Sequence, residues 1–97
     1  CKKICDRLII ADDLIKFFEK ENASKVIIDD LVRMYWGDLM ITRGVKEKYN
    51  IKKCTKVIAS TKNVLNKSSV KKYLIGNKLI KYLGAKNFIN LLKIAGI

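Results

Sequence analysis

Acidic residues are missing from the second half of this sequence. Residues 48–97 contain twelve lysines and no Asp or Glu, whereas residues 1–47 contain nine Lys or Arg and nine Asp or Glu. We call residues 1–47 the scaffold half and residues 48–97 the basic half. The entire formal charge of +12 belongs to the basic half. Because surfaces that serve solubility alone normally mix both signs, this imbalance favours a polyanionic partner, either nucleic acid or an acidic membrane surface.

Histidine is also missing, which argues against catalysis. General acid–base chemistry would require carboxylates or lysines, but every carboxylate lies in the scaffold half, mostly among residues of opposite charge. The cysteines have no histidine to act as a base, and the sequence has no glycine-rich phosphate loop. We therefore expect no enzyme activity, no catalytic residue, no cofactor and no small-molecule substrate.

Cysteine is scarce, and a disulfide framework is excluded by the odd number of three: Cys1, Cys5 and Cys54. A zinc site would need a carboxylate as its fourth ligand, so we expect no metal. We interpret the thiols as reduced, small hydrophobic side chains. This interpretation indicates a reducing intracellular compartment, either the cytoplasm or the nucleoid or nucleus.

Long apolar runs are absent as well, since no stretch approaches the roughly 18 uncharged residues of a membrane-spanning helix. No signal peptide is recognisable. Because the sequence begins at Cys1 and not at Met, we interpret it as an excised domain or a processed product. Lipid modification of Cys1 is the alternative.

Proline is absent, glycine occurs only five times, and no long stretch alternates strictly between apolar and polar residues. These features predict helices. A hydrophobic fraction of 49% argues against disorder. We predict an all-α fold over residues 1–97, a single domain forming a compact bundle of about five short to medium helices.

The scaffold half predicts two helices. The first spans residues 2–21, with a separate helix starting at residues 12–13 as the alternative, and in either case Leu14, Phe17 and Phe18 belong to the core. The second is the central helix. Its apolar residues recur every three or four positions, as Ile28, Leu31, Val32, Tyr35 and Leu39. We interpret Trp36 as a core residue, and Gly44 as a break after this helix.

The basic half predicts shorter elements. Residues 45–50 form a short helix, Asn50 a turn, and residues 55–66 a helix capped by Thr55. The inward face of that helix is apolar, and its opposite face carries Lys53, Lys56, Ser60, Asn63 and Lys67. Three more short helices follow. Ser68 or Ser69 caps the first, Gly76 ends it, Gly84 ends the second, and the third begins at about Lys86.

Residues 45–58, VKEKYNIKKCTKVI, resemble the turn and recognition helix of a helix-turn-helix, with Tyr49, Asn50 and Ile51 at the turn. The resemblance implies a DNA-binding unit within the bundle. Residues 23–26, ASKV, are similar to the loop between the first and second helices of histone folds, which a long helix follows.

These patterns predict a nucleic-acid-binding domain, with DNA favoured. Lysines act as point charges for phosphates, and arginine, which reads guanine better, is absent after Arg43, so we expect low sequence specificity. An accessory module of a larger replication or transcription protein would fit this role. The candidate contacts are Lys52, Lys53, Lys56, Ser60, Lys62, Asn63, Lys67, Lys71 and Lys72.

Two alternatives remain open. Residues 78–97 combine lysines with apolar residues and no acid, as does a basic amphipathic helix on an anionic membrane. A protein-interaction or homo-oligomeric module is the other alternative, in which the apolar helix around Trp36 meets a partner. In a homo-oligomer Glu47, Asp38 and Asp30 would pair with the basic half of a neighbouring copy.

Overall fold

The computed structural model describes residues 2–44 and 48–95, excluding the side chains of Lys2, Arg43, Lys48, Tyr49 and Ala95. Within these ranges the chain is all-α, as predicted, and contains no strand. Five α-helices follow one another: α1 (Lys2–Lys20), α2 (Lys25–Ile41), α3 (Lys48–Thr61), α4 (Lys71–Leu83) and α5 (Ala85–Ala95). Two 3-10 segments, Thr42–Gly44 and Lys62–Lys67, follow α2 and α3.

Helix α1 continues through residues 12–13, so the predicted single helix is confirmed over the alternative with two. It ends in a Schellman motif, in which Asn22 adopts a positive φ of 55°. The backbone N–H of Ala23 donates to the Phe18 carbonyl at 2.9 Å, and that of Asn22 donates to the Glu19 carbonyl at 3.1 Å. This turn reverses the chain so that α2 packs against α1.

The prediction of a core position was wrong for Leu14 and Phe17, which are 39% and 55% exposed. The core-facing side of α1 is formed by Leu8, Ala11 and Ile15, whose spacing of three and four places them on one face. Leu14 and Phe17 lie on another side of the same helix. Phe18 is half-buried and packs against the core as predicted.

Helix α2 has the predicted buried face, with Ile28, Val32, Tyr35 and Leu39 in the core and Leu31 packed against it. It is 17 residues long, shorter than the 19-residue α1. The loop predicted from the histone likeness is present before Lys25. The long helix expected after that loop is not, because the Thr42–Gly44 segment ends α2.

Helix α3 is continuous over Tyr49, Asn50 and Ile51, so the predicted turn at Asn50 and the helix-turn-helix interpretation were both wrong. Thr55 is not a cap, since its hydroxyl donates within the helix to the Lys52 carbonyl at 2.7 Å. Asn and Thr favour turns and caps locally, but burial of one continuous α3 face outweighs that preference. The short helix predicted for residues 45–50 lies partly outside the described residues.

Helix α4 runs through Gly76, so the predicted break there was also wrong. The predicted end at Gly84 is confirmed: its φ is 84°, and its N–H donates to the Ile80 carbonyl at 2.9 Å. The cap predicted at Ser68 or Ser69 was wrong, and the Ser68 hydroxyl instead accepts the Val70 N–H at 3.2 Å ahead of the helix. Val70 is the residue that precedes the helix.

Helix α5 packs on α3 and α4 and buries Phe88, Ile89 and Leu92. Leu91 of the same helix is 40% exposed. Among the described residues, no helix combines the length and the apolar character that crossing a membrane requires.

Candidate nucleic-acid interface

Helix α3 has one buried face and one basic face. Cys54, Ile58 and Thr61 point into the core at a spacing of four and three. The side chains half a turn away are exposed, and they are Lys52, Lys53, Lys56 and Ser60. At 3.6 residues per turn, these four residues cover about a third of the helix circumference on the side opposite the core. We call them the α3 basic face.

Two buried polar contacts fix the rotation of α3. The sulfur atoms of Cys5 on α1 and Cys54 lie 3.5 Å apart as thiols, and the hydroxyls of Tyr35 on α2 and Thr61 lie 2.8 Å apart. Thr61 also donates its hydroxyl hydrogen to the Val57 carbonyl at 2.7 Å, so Tyr35 must donate to Thr61. Because both contacts lie opposite the α3 basic face, they hold that face towards solvent.

These contacts also shift two ionisation equilibria. Burial raises the pKa of Tyr35 to about 12. Burial, together with the neighbouring Cys5, raises the pKa of the Cys54 thiol to about 12. Both side chains are therefore neutral near pH 7 and add no charge beneath the basic face.

The 3-10 segment Lys62–Lys67 follows α3 and carries three more of the predicted contact residues before α4 begins. Asn63 and Lys67 are exposed, and Lys62 is half-buried with its ammonium group donating to the Ala59 carbonyl at 3.1 Å. The side-chain amide of the buried Asn77 on α4 donates to the Lys62 carbonyl at 2.8 Å. This bond ties the segment to α4.

The first turn of α4 adds two exposed lysines, Lys71 and Lys72. The preceding residue, Val70, provides no side-chain cap for the helix N-terminus. The partial positive charge of a helix N-terminus opposes lysines placed there and favours an anion. The Lys72 ammonium lies 5.3 Å from the centre of the Tyr73 ring, which holds this cation on the aromatic face.

Acids of the scaffold half pair mainly with cations of the same half. Among the described residues, three ion pairs lie within it: Arg7–Asp38 at 3.7 Å, Lys16–Asp12 at 2.9 Å and Arg33–Asp30 at 3.7 Å. Another ion pair, Lys67–Glu19 at 3.3 Å, joins the two halves. For the other predicted lysine contacts, no described carboxylate lies within 4.0 Å; they are Lys52, Lys53, Lys56, Lys62, Lys71 and Lys72.

All nine predicted contact residues lie on one continuous run from α3 to the start of α4, and eight of them are exposed. Among the described residues, Lys67 is paired with a carboxylate, that of Glu19. The sequence did not indicate Lys25 of the scaffold half, whose ammonium donates at 3.2 Å to the hydroxyl of Ser69, between Lys67 and Lys71 in the sequence. The two residues are 44 positions apart in sequence, and no local pattern connects them.

Comparison of the chain with protein-family models, with curated proteins and with solved structures found no match. Among the described residues, no group of three or more side chains is placed to hold a metal ion.

Proposed function

We propose that this chain binds nucleic acid, with DNA favoured, through the phosphate backbone and with little sequence specificity. The observation that carries the proposal is the α3 basic face. Its three lysines are exposed, lack a carboxylate partner among the described residues, and lie on the side of the helix opposite the core. A protein surface without acidic side chains would desolvate these ammonium groups and leave their charges uncompensated, whereas a row of phosphates compensates them.

Each lysine that neutralises a phosphate releases condensed counterions, which supplies affinity without reading bases. The hydroxyl of Ser60 and the amide of Asn63 add short hydrogen-bonding groups next to the ammonium groups. Lysine is a point charge without the planar fork with which arginine reads guanine. The proposed contacts therefore position the chain on a duplex and discriminate weakly between sequences.

The fold favours this proposal over the membrane alternative. A helix lying in a membrane interface needs a free apolar face, but Phe88 and Leu92 of α5 are 1% and 5% exposed and contribute to the core. The proposal includes a reducing intracellular location, in the cytoplasm or in the nucleoid or nucleus. This part rests on the sequence, whose three cysteines are too few and odd in number for a disulfide framework.

Two triple variants with equal charge loss test the proposal. The first replaces Lys52, Lys53 and Lys56 by Gln, and the matched control replaces Lys3, Lys16 and Lys20 of α1 by Gln. Affinity for a fluorescent 20-base-pair duplex is measured by anisotropy as a function of salt, with helicity checked by circular dichroism. The log–log salt slope should become shallower by about 2–3 for the α3 variant and by less than about 1 for the α1 control.

Equal slope changes in the two variants would show that net charge alone drives binding, and would overturn the assignment of the α3 basic face. The α3 variant should fold normally, because all three lysines are exposed and have no carboxylate partner among the described residues. A parallel titration with anionic lipid vesicles tests the membrane alternative. Vesicle binding that is as tight as duplex binding would contradict the proposal.

A further inference from the structure

Helices α1 and α2 each carry a second apolar face, which is exposed except for Leu31 at the edge of the core. On α1 it consists of Ile10, Leu14 and Phe17, and on α2 of Ile27, Leu31, Met34 and Ile41. Successive members are separated by three, four or seven residues, so each set forms one side of its helix. Apart from Leu31, which is half-buried, these side chains are 39–58% exposed. We call the two sets together the outer apolar face.

The outer apolar face contains a groove of about 360 Å³ between the two helices. Ile10 and Leu14 line it from α1, and Leu31, Met34 and Ile41 line it from α2. Gly37 also lines the groove, and a Cβ atom added there would meet nothing within 4 Å. The ion pair between Arg7 and Asp38 joins the two helices at the groove.

We propose that the outer apolar face is the interface between two copies of this chain, packed around a two-fold axis as a four-helix arrangement. Two antiparallel helices that present apolar residues every three or four positions form half of such a bundle. A second copy supplies the other two helices of the bundle, whose apolar residues have the same spacing. The partner surface is then self-complementary, as a two-fold interface requires.

The charge distribution favours a second copy on this face. Two chains that each carry +12 repel one another, and the repulsion is greatest where their basic halves approach. The scaffold half has nine cations and nine acids, so it is the part through which two copies can meet without net repulsion. Asp30 and Asp38 already pair with Arg33 and Arg7 of their own chain, which leaves apolar contact as the main attraction.

The size of the outer apolar face also fits an interface between two copies. Six large apolar side chains at this exposure present several hundred Å², the range in which an exposed patch on a soluble protein is commonly a binding surface. With the surrounding polar rim, such a patch approaches the roughly 800 Å² per partner of a standard interface. The sequence had suggested Trp36 as the centre of an oligomer interface. Instead, its ring packs against Tyr73 and Gly76 within the chain.

The interface leaves the proposed nucleic-acid surface uncovered. On α1, Ile10, Leu14 and Phe17 lie on a different side of the helix from Cys5, which contacts Cys54 of α3. A dimer would therefore present two α3 basic faces to solvent. The dimer itself does not depend on nucleic-acid binding, and its test uses protein alone.

Sedimentation velocity over a range from about 1 to 300 μM tests the interface. Wild type should shift from the mass of one chain towards twice that mass, and Ile10→Glu with Met34→Glu should weaken dimerisation at least tenfold. The matched control is Val26→Glu with Ile94→Glu, which introduces the same charge at exposed apolar residues outside the groove. The control should dimerise as wild type does.

Salt distinguishes apolar association from pairing between acids and the basic half of a neighbouring copy. At 1 M NaCl an apolar dimer persists or strengthens, whereas a dimer held by opposite charges dissociates. A wild-type chain that stays monomeric throughout the range would overturn the proposal. Equal dimerisation by the groove variant and the control would overturn it too. Circular dichroism on each variant confirms that the comparison is between folded chains.

Discussion

Trp36 on α2 lies directly over Gly76 on α4, so closely that a Cβ atom added to Gly76 would sit 2.5 Å from ring atom Cζ3. The ring also contacts Tyr73, with ring centroids 5.3 Å apart. Gly76 therefore serves as the contact point between α2 and α4 and not as a helix end. This contact holds α4, whose first turn carries Lys71 and Lys72, against α2.

Substitution of Gly76 by alanine should destabilise the fold by about 1–3 kcal/mol, because the indole ring must move although alanine favours the helix. The matched control is Gly37→Ala, in the interior of α2 with open space at the Cβ position, which should stabilise by about 0.5–1 kcal/mol. Urea unfolding at low chain concentration measures the free energy of unfolding of both variants. Stabilisation by Gly76→Ala equal to that of Gly37→Ala would contradict the packing.

Tyr35 should make the folded state sensitive to alkaline pH. Its pKa is raised from 10.0 to about 12 on folding, so the folded chain keeps a proton that the unfolded chain releases. The resulting stability is fully present below pH 10 and is lost as the pH rises from about 10 to 12. The free energy of unfolding should fall by on the order of 2 kcal/mol over this range, because one pKa unit corresponds to about 1.36 kcal/mol.

The variant Tyr35→Phe isolates this effect. It should be less stable than wild type by about 1 kcal/mol at pH 7, because it loses the hydrogen bond to Thr61. The difference in unfolding free energy between Tyr35→Phe and wild type should then shrink or reverse between pH 10 and 12. Denaturant titrations at several pH values measure it, and a difference that stays constant across that range would rule out a buried, neutral Tyr35.

Cys54 should resist alkylation until the chain unfolds. It has no exposed surface, and its pKa is raised from 9.0 to about 12, which leaves very little thiolate at pH 8. Iodoacetamide should modify Cys54 at least about a hundredfold more slowly in the folded chain than in denaturant. Peptide-resolved mass spectrometry separates this site from the other cysteines. Equal rates in the two conditions would show that Cys54 is accessible.

The general class of the fold and the exposed lysines could be predicted from the sequence because both follow from composition and periodicity. The buried side of α2 is one continuous apolar set, and its spacing alone predicts the helix and its inward face. Gly84 ends α4 as predicted because its positive φ is a local requirement. The lysines of α3 are exposed because burying an unpaired cation is unfavourable and residues 48–97 contain no acid to pair with it.

The continuity of α3 and α4 could not be predicted, because contacts between distant residues decide it. Asn50 and Gly76 are both typical of turns, yet α3 is held by Cys5 and Tyr35, and Gly76 is required by Trp36. Leu14 and Phe17 were assigned to the core because apolar residues usually are. The structure shows that α1 has two apolar sides, of which the core covers one.

The salt dependence of binding to duplex DNA tests the central claim most directly. Affinity for one duplex is measured at several salt concentrations, with single-stranded DNA and RNA of the same sequence alongside. Contact with about five to seven phosphates of the duplex predicts a log–log slope of roughly −4 to −6. A flat salt response, or no binding at low salt, would contradict the account.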